Sequence, residues 1–161
     1  MIRLGREQLY STRDPAHFHD GLIKDVKLLW DAQAFPSCVT LIVCFIDTLA
    51  AKDADATKAK FASFLEKHFR ALCDELQTLV NGKPGGITFY EAYRNGLAHL
   101  RGPKSGYALA RATETNGKYV EVFEVDGVGR LVGLNVDRLY SDFLVAVESS
   151  RSGKQHRAGA P

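Results

Sequence analysis

Hydrophobic residues recur at helical spacing through the N-terminal two thirds of the chain. Residues 17–32 place apolar side chains at steps of three and four, the pattern of one face of an amphipathic helix. Residues 36–51 are apolar on most sides, which predicts a second helix at the centre of the fold. Residues 57–80 repeat apolar positions at almost heptad spacing and predict one long third helix. A fourth helix is expected over residues 87–101, between two segments that contain glycine and proline.

Beyond the fourth helix the apolar spacing changes to two, the spacing of a β-strand. Two such stretches, 107–113 and 118–125, flank Asn116-Gly117, a dipeptide favoured in the tight turn of a β-hairpin. A short third strand is expected over residues 130–133. Together these stretches predict a small antiparallel β-meander at about residues 107–133.

The two ends of the chain set the limits of the predicted domain. Residues 1–15 are polar and are expected to be irregular, whereas Asn135 suits the N-cap of a last helix over 136–148. Residues 149–161 are predicted to be a disordered basic tail. The sequence therefore predicts one mainly α domain, residues 16–148, a bundle of four or five helices with the meander before the last helix.

The amino-acid composition is typical of one class of protein, the soluble globular proteins. Hydrophobic residues make up 45% of the chain and charged residues 25%, as in an ordinary soluble globular protein. Cys38, Cys44 and Cys73 lie in apolar helical patterns without metal-ligand spacing, so we expect reduced core thiols and a cytoplasmic location. No apolar run is long enough to span a bilayer, and no membrane contact is expected.

The charge distribution limits how nucleic acid could bind. Residues 149–161 carry three basic residues and no acid, which leaves 18 basic against 19 acidic residues in the rest of the chain. The predicted domain is therefore almost neutral and lacks the excess of Lys and Arg typical of large nucleic-acid surfaces. Any RNA contact is expected to be local.

The segment with the clearest chemistry lies in the fourth helix and contains Arg94, Asn95 and His99. On an ideal α-helix, the step from Arg94 to His99 turns the side-chain direction by about 140°, so these two side chains do not stack. Asn95 and His99 are four residues apart and share a face of that helix. The long Arg94 side chain can swing towards that face.

Arg94-Asn95-x-x-x-His99 resembles the signature of the HEPN superfamily, in which a histidine follows an arginine after four to six residues and a polar residue often comes directly after the arginine. The motif occupies the place expected in that superfamily, late in a core helix and preceded by aromatic residues. Residues 43–51 are also similar to small bacterial HEPN-like proteins. The resemblance extends over roughly residues 17–148, and its specific part is the segment from Arg94 to His99.

The resemblance implies a HEPN-like helical domain that cleaves RNA without a metal ion or cofactor, often in toxin or defence systems. The 2′-hydroxyl of RNA would attack the adjacent phosphate. His99 would provide acid–base catalysis, Arg94 would stabilise charge on the phosphate, and Asn95 would orient the ribose, the phosphate or the imidazole. Family members commonly dimerise so that two motifs face one cleft, so a homodimer is expected. An antitoxin of the nucleotidyltransferase type is a further candidate partner.

Four residues near the motif are candidates for substrate binding. Tyr90 and Tyr93 could stack on an RNA base, although aromatic residues three positions apart are more often part of a core. Arg101 and Lys104 could add positive charge beside the cleft, and the alternative is a solvated helix end. No metal site is expected, because His17 and His19, at the start of the first helix, would diverge on a helix.

Asp47 follows the apolar run of the second helix and would need a partner if it were buried. It could support the site by holding Arg94, it could pair with His68, or it could be an exposed helix position. Two further functions stay open at this point: a noncatalytic HEPN-like dimeric module that binds RNA, a nucleotide or a partner protein, and a purely structural or regulatory dimer.

Overall fold

The computed structural model describes residues 15–51, 57–80, 83–100 and 102–155. The helices and strands follow one another in this order: α1 (Pro15–Asp31), α2 (Phe35–Ala51), α3 (Lys58–His68), α4 (Arg70–Leu79), α5 (Gly85–Phe89), a π-helical segment (Tyr90–Arg94 and Gly96–Leu100), β1 (Tyr107–Ala110), β2 (Val120–Val125), β3 (Gly129–Asn135) and α6 (Val136–Gln155). The segment 1–14, predicted to be irregular, lies outside the described residues. None of the described helices is both long enough and apolar enough to cross a membrane.

The central position predicted for α2 is confirmed. Because this helix is apolar on most sides, it packs against α1, α3 and α6 together, and its buried side chains form the middle of the core. These buried side chains are Cys38, Val39, Ile42, Val43, Phe45 and Ile46. The polar Asp47 comes directly after this buried run, at the end of α2 that approaches the π-helical segment.

The prediction of one long helix over 57–80 is wrong, because the helix bends at Phe69. This residue has φ −130° and ψ 43°, outside the helical region, and its side chain is buried. Its N–H still donates to the Leu65 carbonyl at 2.7 Å, and the Cys73 N–H donates to the Phe69 carbonyl at 3.1 Å. Two backbone hydrogen bonds therefore span the bend, and both α3 and α4 pack against α5.

Two glycines allow α5 to approach these helices closely. A Cβ atom at Gly85 would lie 1.9 Å from the Cys73 carbonyl oxygen, and one at Gly86 would lie 2.7 Å from the Ala62 carbonyl oxygen. The Gly86 N–H also donates to Glu66 Oε1 at 2.9 Å. The start of α5 is therefore fixed between α3 and α4, and this position sets where the motif that follows it lies.

The sheet is not the predicted antiparallel meander. Its strand order is β1-β3-β2, with β1 parallel and β2 antiparallel to β3. Asn116 and Gly117 do form a turn with φ values of 51° and 75°, but the strands on either side of this turn do not pair. The β-hairpin instead joins β2 to β3 through residues 126–128. The parallel pairing of β1 with β3 is a contact between distant parts of the chain, which local turn chemistry does not reveal.

The N-cap predicted for the last helix is confirmed, because Asn135 Oδ1 accepts the Arg138 N–H at 3.0 Å. The apolar residues Leu139, Phe143 and Val147 of this helix are buried, and Leu144 is partly buried. The helix continues to Gln155, so the tail predicted from residue 149 is helical over its first part. The remainder of that tail, 156–161, lies outside the described residues.

The cysteines differ from one another in exposure. Cys38 and Cys73 are buried as predicted, and burial raises the pKa of their thiols to about 11 and about 12. The prediction that all three lie in the core is wrong for Cys44, which is exposed on the surface of α2. None of the three forms a disulfide.

Candidate functional site

The helix that carries Arg94 is not a regular α-helix. Tyr90–Arg94 and Gly96–Leu100 are π-helical, and the Asn95 N–H donates to the Tyr90 carbonyl five residues back. Because a turn built on hydrogen bonds from i to i+5 holds more residues than an α-helical turn, a five-residue step comes closer to one full turn. Backbone positions 94 and 99 are therefore closer to alignment than on the ideal α-helix assumed from the sequence. The side chain of His99 lies outside the described residues.

A loop crosses this helix directly above Gly96. The Lys104 N–H donates to the Ala92 carbonyl at 2.8 Å, and the Gly102 N–H lies 3.3 Å from the Gly96 carbonyl oxygen. A Cβ atom at Gly96 would lie 2.4 Å from the Gly102 carbonyl oxygen and 2.7 Å from the Lys104 nitrogen. Only a residue without a side chain fits this crossing, so Gly96 fixes the path of the chain after the motif.

Arg94 is held by a carboxylate from another helix. Its Nε and Nη2 atoms donate to the same oxygen of Asp47, Oδ2, at 2.8 Å and 2.7 Å. The two side chains are only 19% and 16% exposed, so solvent screens this ion pair weakly. Of the three roles predicted for Asp47, the contact with Arg94 is the one that the structure contains.

Two neighbours complete the surroundings of the guanidinium. The Arg94 Nη1 atom donates to Asn95 Oδ1 at 3.3 Å, and the Arg94 Cζ atom lies 5.0 Å from the centre of the Tyr90 ring. The Tyr90 ring in turn meets the edge of Phe61 on α3. The guanidinium is thus fixed by a carboxylate, an amide and an aromatic ring, and its orientation no longer depends on its own flexible stem.

The expectation that Tyr93 binds substrate is corrected. Tyr93 is fully buried, and its hydroxyl donates to the Val132 carbonyl at 2.9 Å. Its ring also packs against Phe89 and Tyr107, and burial raises the pKa of its hydroxyl far above the ordinary value of 10. Tyr93 therefore fixes the π-helical segment to β3, the core role weighed as its alternative, and it is not accessible to an RNA base.

The remaining candidates are not all beside Arg94. Lys104 is exposed, but it lines a pocket with Lys83 and Glu91 to which Arg94 and Asn95 do not contribute. Arg101 lies outside the described residues. The structure thus brings together Asp47, Tyr90, Arg94 and Asn95.

No protein-family model, curated protein or solved structure matches this chain. The resemblance to the HEPN superfamily therefore continues to rest on the residues between Arg94 and His99. Within the part of the chain that the structure describes, no group of three or more His, Cys, Asp or Glu side chains is arranged to hold a metal ion.

A second charged group, which was not predicted from the sequence, lies on the same helical segment. Glu91 forms ion pairs with Lys58, at the start of α3, and with Lys83, at 3.1 Å, in the loop before α5. These hydrogen bonds, from Lys58 first and then Lys83, lower the pKa of Glu91 below its ordinary value of 4.5. Lys58 is 33 residues from Glu91 in the sequence, and Lys83 lies outside the fourth helix, so no spacing within the helix predicts the group.

Proposed function

We propose that this protein is a HEPN-type endoribonuclease whose site contains Arg94, Asn95 and His99. The observation that supports the proposal is the fixed guanidinium of Arg94. Asp47 holds its Nε edge, Asn95 contacts its Nη1 atom, and the π-helical geometry brings position 99 close to one helical turn away. A guanidinium fixed in this way is suited to stabilise charge that develops on a phosphate.

The proposed reaction uses RNA as its own nucleophile. The 2′-hydroxyl oxygen forms a bond to the adjacent phosphorus, and the bond from phosphorus to the 5′-oxygen breaks. The products are a 2′,3′-cyclic phosphate and a 5′-hydroxyl end. A base removes the proton of the 2′-hydroxyl and an acid delivers one to the leaving oxygen, and we assign this work to imidazole at position 99. Because one chain supplies one such imidazole, the proposal includes a homodimer in which two motifs face one cleft.

The test is RNA cleavage in the presence of EDTA. Purified protein is incubated with a 5′-labelled single-stranded RNA, and the ends of the fragments are analysed for 2′,3′-cyclic phosphate. We expect cleavage by the wild type and a loss of at least about a hundredfold in His99→Ala, the order of a lost acid–base group. Arg94→Ala should lose a similar factor.

Matched variants separate chemistry from general damage. His68→Ala removes another partly exposed histidine, and Arg70→Ala removes an arginine that is 83% exposed, so both should cleave like the wild type. Cleavage that is equally strong in His99→Ala, or that disappears on further purification of the wild type, would contradict the proposal.

One observation favours a second candidate, a noncatalytic module that binds RNA. Asp47 compensates the charge of Arg94, so the pair is formally neutral and would stabilise the charge that develops on a phosphate during cleavage less strongly than a lone arginine would. Binding of the same RNA without cleavage, weakened in Arg94→Ala and unchanged in Arg70→Ala, would support this alternative and contradict the nuclease.

A further inference from the structure

The charged group around Glu91 lies close to the proposed site. Glu91 and Asn95 are four residues apart on the π-helical segment, which is close to one turn, so they lie on the same side of it. Lys58 and Lys83 reach Glu91 from two other parts of the chain. The surface that carries Asn95 therefore continues into this group.

The lysines around Glu91 carry more positive charge than this one carboxylate neutralises. Lys83 and Glu91 line a pocket of about 310 Å³, and Lys104 lines it from the loop that crosses Gly96. The ammonium of Lys104 pairs with none of the described carboxylates. Lys58, Lys83 and Lys104 against Glu91 leave two formal positive charges in a domain whose overall composition is nearly neutral.

The rest of the pocket wall suits a phosphate attached to a sugar. Ser105 adds an exposed hydroxyl, and Val80, Ala92 and Tyr107 add apolar surface. Lysine ammonium groups bind phosphate oxygens as point charges with several donors each. The pocket lining thus combines two lysines with apolar surface, and its volume is enough for a phosphate with its ribose.

We infer that this pocket, the lysine pocket, binds a backbone phosphate of the RNA next to the one held at Arg94. This inference rests on the proposed function, because the strand would pass Arg94 and Asn95 before it reaches Lys83 and Lys104. Glu91 holds Lys58 and Lys83 in place and weakens their attraction for phosphate. An RNA strand with one phosphate at Arg94 and the next in the lysine pocket would be fixed in register, with the scissile phosphate at Arg94.

The experiment measures the affinity of the full chain for a fluorescein-labelled single-stranded RNA by anisotropy, with EDTA present and at several salt concentrations. His99→Ala is the background for all variants, so that cleavage does not disturb the measurement. Lys83→Gln/Lys104→Gln should bind roughly three- to tenfold more weakly, and its salt slope should be smaller by roughly 0.7, because one phosphate is no longer neutralised. Glu91→Gln should bind more tightly, because a negative charge is removed. The matched control is Lys24→Gln/Lys27→Gln, which removes two exposed lysines of α1 and should leave the affinity almost unchanged.

A second measurement keeps the pocket testable if RNA does not bind. In ¹⁵N-labelled protein, inorganic phosphate should shift the amide signals of Thr88, Ser105 and Tyr107, and the shifts should be absent in Lys83→Gln/Lys104→Gln. Phosphate shifts without RNA binding would support the pocket and contradict the proposed function. RNA binding that is equal in the lysine-pocket variant and in the α1 control would overturn the pocket and leave the proposed function standing. Absence of both phosphate shifts and a lysine-dependent RNA affinity would also overturn the pocket.

Discussion

The guanidinium of Arg94 and the carboxylate of Asp47 depend on each other at the scale of single residues. Asp47 Oδ2 accepts two hydrogen bonds from Arg94, while Oδ1 is buried and has no partner among the described residues. A carboxylate in such surroundings is costly unless a cation stays beside it. The pair is therefore as much a structural link between α2 and the π-helical segment as a feature of the proposed site.

We expect a double-mutant cycle to reveal this dependence. Arg94→Ala or Asp47→Ala alone should lower the free energy of unfolding by roughly 2–4 kcal/mol, because each leaves a poorly solvated charge without a partner. The double variant should lose clearly less than the sum of the two, with a coupling of roughly 1–2 kcal/mol. Urea unfolding followed by circular dichroism gives all four values.

The exposed pair of Arg70 and Asp74, at 3.8 Å, is the control cycle on α4. Since both side chains are more than half exposed, its coupling should be below about 0.5 kcal/mol. Equal couplings in the two cycles would show that Asp47 does not fix Arg94 in solution.

At the scale of elements, the sequence patterns predicted the positions of the helices more accurately than the backbone geometry of those helices. The apolar periods of α1, α2 and α6 were clear because each helix buries one continuous face. The bend at Phe69 and the π-helical turns were not predicted, because a shift of one residue per turn changes an apolar pattern very little. For the candidate site, the sequence allowed the contact of Asp47 with Arg94 only as one of three alternatives for Asp47. The burial of Tyr93 could not be predicted, because it depends on β3, which is distant in the sequence.

The crossing of the loop over Gly96 gives a prediction at this scale. Gly96→Ala should lower the free energy of unfolding by roughly 1–3 kcal/mol, because the new methyl group overlaps backbone atoms and outweighs the gain in helix propensity. Thermal and urea unfolding measure the change.

Gly102→Ala is a matched control in the same loop. A Cβ atom there would have no heavy atom within 4 Å, so its effect should stay within about 0.5 kcal/mol. A Gly96→Ala variant as stable as the wild type would mean that the loop does not cross the helix at this distance.

The stability of the junction between β1 and α6 should depend on pH. The Asp137 carboxylate accepts hydrogen bonds from Arg111 Nη2 at 2.8 Å and from the Ala112 N–H at 2.7 Å. The hydrogen bonds from Arg111 come first among the causes that lower the pKa of Asp137 below its ordinary value of 3.8. The Asp137 carboxylate therefore binds a proton less tightly in the folded state than in the unfolded state. The stabilisation that the ionised carboxylate gives to the folded state is complete above pH 3.8 and is lost as the pH falls below this value.

Asp137→Asn should therefore destabilise the protein by roughly 1 kcal/mol at neutral pH, and by less as the pH is lowered through 3.8 and below. Urea midpoints of the wild type and the variant, measured from neutral pH down to about pH 3, give this difference. Asp74→Asn removes an exposed carboxylate on α4 and should have little effect across the same range. A difference for Asp137→Asn that stays constant with pH would contradict the role of the ionised carboxylate.

At the scale of the whole molecule, several elements converge on the π-helical segment. Asp47 comes from α2, Phe61 and Lys58 from α3, and Val132 from β3. The small sheet thus fixes one side of this segment through the hydroxyl of Tyr93. One chain still presents a single motif, and the proposed chemistry needs both a proton acceptor and a proton donor.

If two copies of the chain face one cleft, two inactive variants should complement each other. Arg94→Ala and His99→Ala, mixed after joint refolding, form heterodimers in which one chain supplies the arginine and the other the histidine. We expect the mixture to cleave RNA faster than the sum of the separate variants, and the wild type to have twice the monomer mass by light scattering. Since each heterodimer regains one guanidinium and one imidazole, the recovery should be partial and should rise with protein concentration. A dimer whose mixed variants stay inactive would mean either that the cleft needs both imidazoles or that each motif works within its own chain. A monomeric wild type that cleaves RNA would contradict the homodimer and place both proton transfers on one imidazole.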